Sequence, residues 1–207
     1  TTALEGDDAY EMDGVNLEYE FGPADGWIDS GVIRSFYEVA SIEQFTLDER
    51  AAARTPVSID RLFAYDQEIR GIELNLWKNF DGKTFSHRLG FGLEYRDRTT
   101  EEFRDGLSTD LATGAQTNVL LGEDLPLRDF PIRNTTETAA FIEDSISFGD
   151  WRVIAAVRAD QYELTPEVDA LYLEDFPDYE TVELRESDLS PKLGVIYTLA
   201  PEIDLYV

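Results

Sequence analysis

The sequence predicts an all-β fold, an antiparallel up-and-down meander of long strands. Three observations predict it. Apolar and polar residues alternate with period 2 over long stretches, as strands with two unlike faces require. In the clearest case, Trp151, Val153, Ala155 and Val157 share one parity, and Arg152, Arg158, Asp160 and Tyr162 the other. The connections between strands alternate between short and long, and aromatic residues gather beside the short ones.

The first six residues read as the tail of a loop. From Tyr10 to Phe21, Val15, Leu17, Tyr19 and Phe21 alternate with Asn16, Glu18 and Glu20, a first strand. Gly22-Pro23-Ala24-Asp25-Gly26 is turn chemistry. A second strand runs from about Ile28 to Ala40, and residues 41–60 then lose the alternation and read as a long polar loop. Within that loop, Leu47–Arg54 admits a short helix. The third strand spans about Arg61 to Phe80. Ile72, Leu74 and Leu76 share one parity while Phe63, Tyr65 and Ile69 share the other, which predicts a bulge near Gly71.

Asp81-Gly82-Lys83 predicts a hairpin turn with a left-handed glycine. The fourth strand, Phe85 to about Arg98, sets Leu89, Phe91, Leu93 and Tyr95 against Arg88, Glu94 and Arg96. Residues 99–133 form the longest loop. A fifth and a sixth strand meet at Phe148-Gly149-Asp150, and an acidic loop fills 165–187. The seventh strand runs from about Leu189 to Leu199, and an eighth begins at Ile203 after Ala200-Pro201-Glu202.

The chain has 207 residues, with 44 Asp and Glu against 17 Lys and Arg, a net charge of -27. That argues against nucleic-acid binding, which neutralises phosphates with basic patches. The absence of cysteine excludes a disulfide framework and a thiolate metal site. No run of eighteen apolar residues forms a transmembrane helix, but strands that cross a membrane leave no such run. The chain starts at Thr1 without a leader, so an export signal is expected to lie outside it.

Two architectures fit such strands: a soluble β-sandwich, and a transmembrane barrel with its apolar face on lipid and its polar face on a wet lumen. Strict alternation of loop length describes an outer-membrane barrel, with short periplasmic turns and long extracellular loops. Trp27, Trp77, Phe80, Phe85, Phe148 and Trp151 then form an aromatic girdle at one rim, although Trp77 has the wrong parity relative to Leu74 and Leu76. Leu89, Phe91, Leu93, Val153, Ala155, Val157, Leu193 and Val195 discriminate the two. A barrel puts them on lipid and a sandwich buries them.

The stretches HRLGFGLEYRDRTTEEFRDG (87–106), LATGAQTNVLLGEDLPLRDFPIRNTTETAAFIEDSISFGDWRVIAAVRADQYEL (111–164) and ESDLSPKLGVIYTLAPEIDLYV (186–207) resemble a TonB-dependent outer-membrane receptor. Within that family, FPIRNTTETAAFIEDSI resembles the branch that takes up haem or haem from host proteins. The resemblance implies a barrel of about 22 strands closed around a plug. Residues 1–207 would supply about eight of them, with the plug and signal peptide outside this stretch. It implies a protein of the Gram-negative outer membrane with lipid, its own plug, the inner-membrane TonB complex and haem or a haem protein as partners. Haem would be cargo rather than cofactor. A siderophore receptor of the same architecture is the alternative within the family. The family's haem-ligating segment is expected beyond a strand like that at Ile203, so no ligand is carried over.

No enzyme is expected. No glycine-rich phosphate loop and no motif-placed carboxylate pair is present, and the only histidine, His87, two residues past Phe85 at the short-turn end of its strand, reads as a rim or strand residue rather than a haem ligand. Tyr172 and Tyr179 could ligate haem iron but read more simply as loop packing. The acidic groups Glu101-Glu102-Asp105 and Glu174-Asp175-Asp178 lack EF-hand spacing and read as solvated loops, with calcium undecided. The candidate cargo-contacting residues lie in the longest loop: Leu107, Leu111, Val119, Leu120, Leu121, Leu125 and Phe130. They are too apolar to stay solvated, so they should pack on neighbouring loops or the plug, or cover an apolar cargo.

Overall fold

The structure is a computed structural model that describes residues 3–22 and 26–207. Pro23, Ala24 and Asp25 of the first expected turn lie outside the described residues. Eight strands form one antiparallel meander: β1 (Ala3–Phe21), β2 (Ser30–Glu49), β3 (Val57–Asp81), β4 (Ser86–Asp110), β8 (Ile132–Phe148), β9 (Trp151–Glu167), β10 (Leu184–Ala200) and β11 (Ile203–Tyr206). Between β4 and β8 lie three two-residue strands, β5 (Gln116–Thr117), β6 (Val119–Leu120) and β7 (Glu123–Asp124). β5 pairs with β4, and β6 with β7. One short helix, α1 (Ala170–Asp175), sits between β9 and β10.

Cross-strand partners share a face, so the registers sort every residue. Leu74 pairs with Leu93, Leu93 with Ala140, Ala140 with Ala159, and Ala159 with Leu189. Followed across the sheet, one face carries Leu17, Ile33, Leu74, Leu93, Ile142, Val157, Leu193 and Leu205. The other carries Glu18, Arg34, Glu73, Glu94, Glu137, Arg158 and Lys192. Among the described residues, nothing covers the apolar face. Leu93 is 56% exposed and Leu193 73%, and none of the eight discriminating residues is buried. A sandwich is thereby excluded. The sheet is a single wall, and its apolar face needs lipid. Among the described residues, the buried large apolar side chains are Leu120, Leu125, Leu127 and Tyr172, all in the connections rather than in the wall.

The short-turn end carries the girdle. The Phe85 and Phe148 rings lie 5.4 Å apart and those of Trp151 and Tyr197 4.6 Å apart, with Phe80 on the same face. Trp77 points to the polar face instead, where the Arg88 guanidinium lies 5.7 Å from its ring. Gly149, with φ 56, makes the two-residue turn between β8 and β9. Gly82 is not left-handed, against expectation; its N–H donates to the Phe85 carbonyl at 2.9 Å in a four-residue connection.

The strands run much further than expected. β1 begins at Ala3, and β2 continues through residues 41–49 that the sequence reads as loop. β4 extends to Asp110, β9 to Glu167, and β10 starts at Leu184. The loops therefore shrink to 50–56, 111–131 and 168–183. The first is no longer than the connection 22–29, so length alternation holds only from the third strand onward. The helix expected at Leu47–Arg54 does not form; its first residues are strand and the rest is turn.

The bulge expected at Gly71 is also absent, since the registers with β2 and β4 pass through it unbroken. The parity change in β3 has another cause. Ile72, Leu74 and Leu76 face lipid, whereas Phe63, Tyr65 and Ile69 lie on the inward face of a strand that has left the membrane. At about 3.3 Å per residue, the 25 residues of β3 reach roughly 80 Å, far beyond a hydrocarbon core. Gly71 instead leaves room for the Phe36 ring, which lies where its Cβ would be, at 2.4 Å.

Candidate functional site

The loops 111–131 and 168–183 lie at the end opposite the aromatic girdle, and the first folds onto the polar face, where Leu120 and Leu125 meet Gly106. Above Thr100, β4 has no strand of β8 beside it, so the chain returns along that free edge. Gln116 and Thr117 pair with Thr109 and Ser108, and Leu127 exchanges both backbone hydrogen bonds with Arg104. Between these anchors, β6 and β7 form a hairpin that leans over the inner wall. Leu121 and Gly122 are its turn, with φ 56 and 94, the two left-handed positions of a type I′ hairpin. Leu120, Leu125 and Leu127 pack together over Ile59. They fit because Gly106 has no side chain: a Cβ there would stand 2.8 Å from Leu120.

Two arginines fix the loop. Arg104 donates to Asp129 at 2.7 Å and to Glu123 on β7 at 2.9 Å. Arg128 is nearly buried and donates to the Glu102 carbonyl, to the Glu101 carboxylate at 3.2 Å and to the Asp169 carboxylate at 2.8 Å. Asp169 also caps α1, accepting the Tyr172 N–H at 2.9 Å. Burial works to raise the Asp169 carboxyl, but the Tyr172 amide and the Arg128 guanidinium outweigh it and hold it below the ordinary range. A lowered carboxyl contributes stability above its unfolded pKa and loses it only as pH falls through the folded value, so the pair persists at neutral and mildly acid pH.

Beneath them Glu102 is 1% exposed, with one oxygen accepting the Asp129 N–H at 2.8 Å and the other without a partner. Burial pushes its carboxyl above the ordinary range.

Further down, the inward face carries a ladder of charge. Arg158 bonds both oxygens of Glu94, at 2.8 and 2.7 Å, and reaches Asp160 at 2.8 Å. Arg96 pairs with Glu137 at 3.5 Å and lies over the Phe36 ring at 5.8 Å. These groups line a recess of about 280 Å³ together with Glu73 and Tyr162. Next to Gly92, the Phe141 ring fills the space a side chain would take. The inward face is therefore polar and paired at membrane height, as a wet lumen requires.

The seven candidate loop residues divide. Leu120 and Leu125 are buried in the loop's own core, Leu107 is half-buried in β4, and Phe130 is half-buried with the Arg133 guanidinium 4.0 Å from its ring. Leu111, Val119 and Leu121 are exposed, Leu121 at 97%. Tyr172 is buried, stacked on Phe176 at 4.7 Å and edge-on to Tyr179 at 5.1 Å, within a cluster of loop aromatics. His87 is on the apolar face near the girdle, 2.9 Å from Asp144 and far from the outer loops.

Sequence reasoning missed Arg128 and Asp169, and it read Glu101-Glu102-Asp105 as a solvated loop, whereas all three lie in strand β4 and Glu102 is buried beneath the returning chain. Asp169 ahead of Ala170–Asp175 is a readable helix cap. The partnership of residues 41 positions apart is not readable.

A family profile described as "TonB dependent receptor-like, beta-barrel" matches residues 2–207. No curated protein matches the sequence. Among solved structures, the fold is similar to the ferric citrate transporter FecA in its unliganded form (20% identity, TM-score 0.56, 86% of this chain and 26% of that one). It is similar to BauA, the ferric preacinetobactin receptor from Acinetobacter baumannii (14% identity, TM-score 0.62, 97% and 30%). It is also similar to the ferric-catecholate import receptor Fiu from E. coli K12 (14% identity, TM-score 0.60, 96% and 35%). The chain thus spans between about a quarter and about a third of the length of these receptors. With a family match across almost the whole sequence and a single-layer wall, apolar outside and charged inside, this chain belongs to the TonB-dependent receptor β-barrel family of the outer membrane.

Proposed function

We propose that this wall is part of a receptor that binds an iron complex at its outer loops and imports it with energy delivered through TonB. The observation that carries the reading is the hairpin β6–β7, folded over the inward face and presenting Val119 and Leu121 to solvent beside the mouth. Exposed apolar side chains held on an ordered loop suit an apolar ligand surface. The barrel closes through strands beyond β1 and β11, around the receptor's own plug, whose charged surface meets the Arg158–Glu94 ladder.

Haem, or haem from a host haem protein, is the cargo favoured by the resemblance in residues 130–146. A ferric siderophore is the second reading, supported by the printed names of the structures similar in fold.

The test replaces residues 111–124 with a short Gly-Ser linker in the full receptor. Heat-modifiable mobility should stay intact because the wall does not depend on the hairpin. Whole-cell binding should fall by tenfold or more, about 1.4 kcal/mol or above, for haem and haemoglobin if the first cargo is right, or for ferric siderophores if the second is. Unchanged binding of both classes on an intact barrel would overturn the role of this loop.

A further inference from the structure

Arg128 reaches two connections that are far apart in sequence. Its Nε donates to Asp169 in the loop between β9 and β10, and its two Nη atoms donate to Glu101 and Glu102 of β4. Among the described residues, the Arg128–Asp169 pair is the one hydrogen bond or ion pair that joins segment 111–131 to segment 168–183. Each end of it is wired further. Asp169 holds the first turn of α1 through the Tyr172 amide, and Asp129, next in the chain to Arg128, is tied by Arg104 to Glu123 of the hairpin.

Two sets of charge-assisted hydrogen bonds, joined by the peptide link between Arg128 and Asp129, therefore lead from the hairpin to α1. Such bonds are about twice as strong as neutral ones. Arg128 is nearly buried, so solvent screens its pairs much less than surface ones.

We propose that Arg128 is a positioning residue that couples the two outer loops, so that they move over the barrel mouth as one lid. The inference rests on the reading that these loops stand at the outer mouth, but it does not depend on the cargo. Among the described residues α1 makes no hydrogen bond of its own to the hairpin, and this pin is the hydrogen-bonded link between the two segments. A cargo that engages Leu121 on one loop would then also settle the other. Lysine could not replace the guanidinium, because the three acceptors belong to three residues and call for a fixed fork of donors.

The experiment uses the full receptor, otherwise free of cysteine, with spin labels at Leu121→Cys and Leu173→Cys, both exposed positions. Pulsed dipolar spectroscopy without cargo reads the distance between the loops. The parent should give one narrow distribution. Arg128→Gln should broaden it, and so should Asp169→Asn, which keeps an oxygen to cap Tyr172 and so leaves α1 itself intact. The decisive arm is the double variant, which should be no broader than either single one, because both remove the same link.

A narrow distribution in Arg128→Gln overturns the proposal. So do effects of the two substitutions that add independently, which would mean each merely loosens its own loop. Because no ligand enters the measurement, failure of the cargo reading leaves this result interpretable. Failure of the pin likewise leaves the cargo reading standing.

Discussion

Leu93→Arg should destabilise the barrel by about 2–4 kcal/mol, the cost of an arginine on the lipid face near the bilayer midplane. Leu93 lies in the middle of the apolar face, 56% exposed, between Leu74 and Ala140 on its two neighbours. The matched control is Asn75→Arg. Asn75 follows Leu74 on β3 at the same height but faces the other way, close to the carboxylates of Glu73 and Glu94 on the inward side. There a guanidinium finds water and acceptors, and the cost should stay below about 1 kcal/mol. Urea unfolding of the receptor in lipid, followed by heat-modifiable mobility, compares the two. Equal effects would mean that the two faces do not differ in solvent, and the reading of the apolar face as lipid-facing would fail.

Gly106→Val should unseat the outer hairpin and locally strain the β3–β4 pairing beside Asp60. A Cβ at Gly106 would stand 2.6 Å from the Asp60 carbonyl oxygen, which is backbone and cannot turn aside. It would also meet Leu120 at 2.8 Å and Leu125 at 3.1 Å, and valine adds two methyl groups in the same space. The easier response is for the hairpin to lift, exposing both leucines. Each loses about 1.5–3 kcal/mol of burial, which is more than a hairpin of this size retains on its own. Amides in residues 118–127 should then exchange about a hundredfold faster or more, while the receptor still shows heat-modifiable barrel mobility. Unaltered protection in 118–127 would show that the leucine cluster does not hold the loop.

Which parts of this were legible follows from what surrounds each residue. Leu89 to Tyr95, Trp151 to Val157 and Leu193 to Leu199 could be read from their alternation because lipid lies on one side and a wet lumen on the other. Thr99 to Asp110 could not. Above the membrane, water or protein lies on both faces of β4, and Glu101, Glu102, Arg104 and Asp105 follow one another without any period. The backbone still pairs there, but pairing leaves no mark in side-chain type. The same change of surroundings explains Phe63, Tyr65 and Ile69. Their parity marks where β3 leaves the bilayer, and a rule tuned to one continuous core misread it as a bulge.

At the site, the apolar character of the longest loop was visible, but its division was not. Leu120 and Leu121 are neighbours with opposite fates, 8% and 97% exposed, because the chain turns between them at Leu121-Gly122. Gly122, a glycine at the second turn position, is the mark in the sequence that could have separated them. The Arg128–Asp169 pair had no such signal, since it depends on two loops being brought together by strands registered across β8 and β9.

The wall's orientation is open to direct measurement, because the chain has no cysteine of its own. Single cysteines at Ala52, Ala115 and Ala170 lie in the three connections at the loop end, and those at Asp81 and Asp150 lie at the girdle end; all five positions are exposed. In the full receptor, otherwise free of cysteine, the first three should react with a membrane-impermeant maleimide on intact cells. The last two should react only after the outer membrane is opened. Labelling of Asp81→Cys and Asp150→Cys on intact cells, with Ala52→Cys, Ala115→Cys and Ala170→Cys protected or no more reactive, would contradict a barrel that holds these loops to the outside.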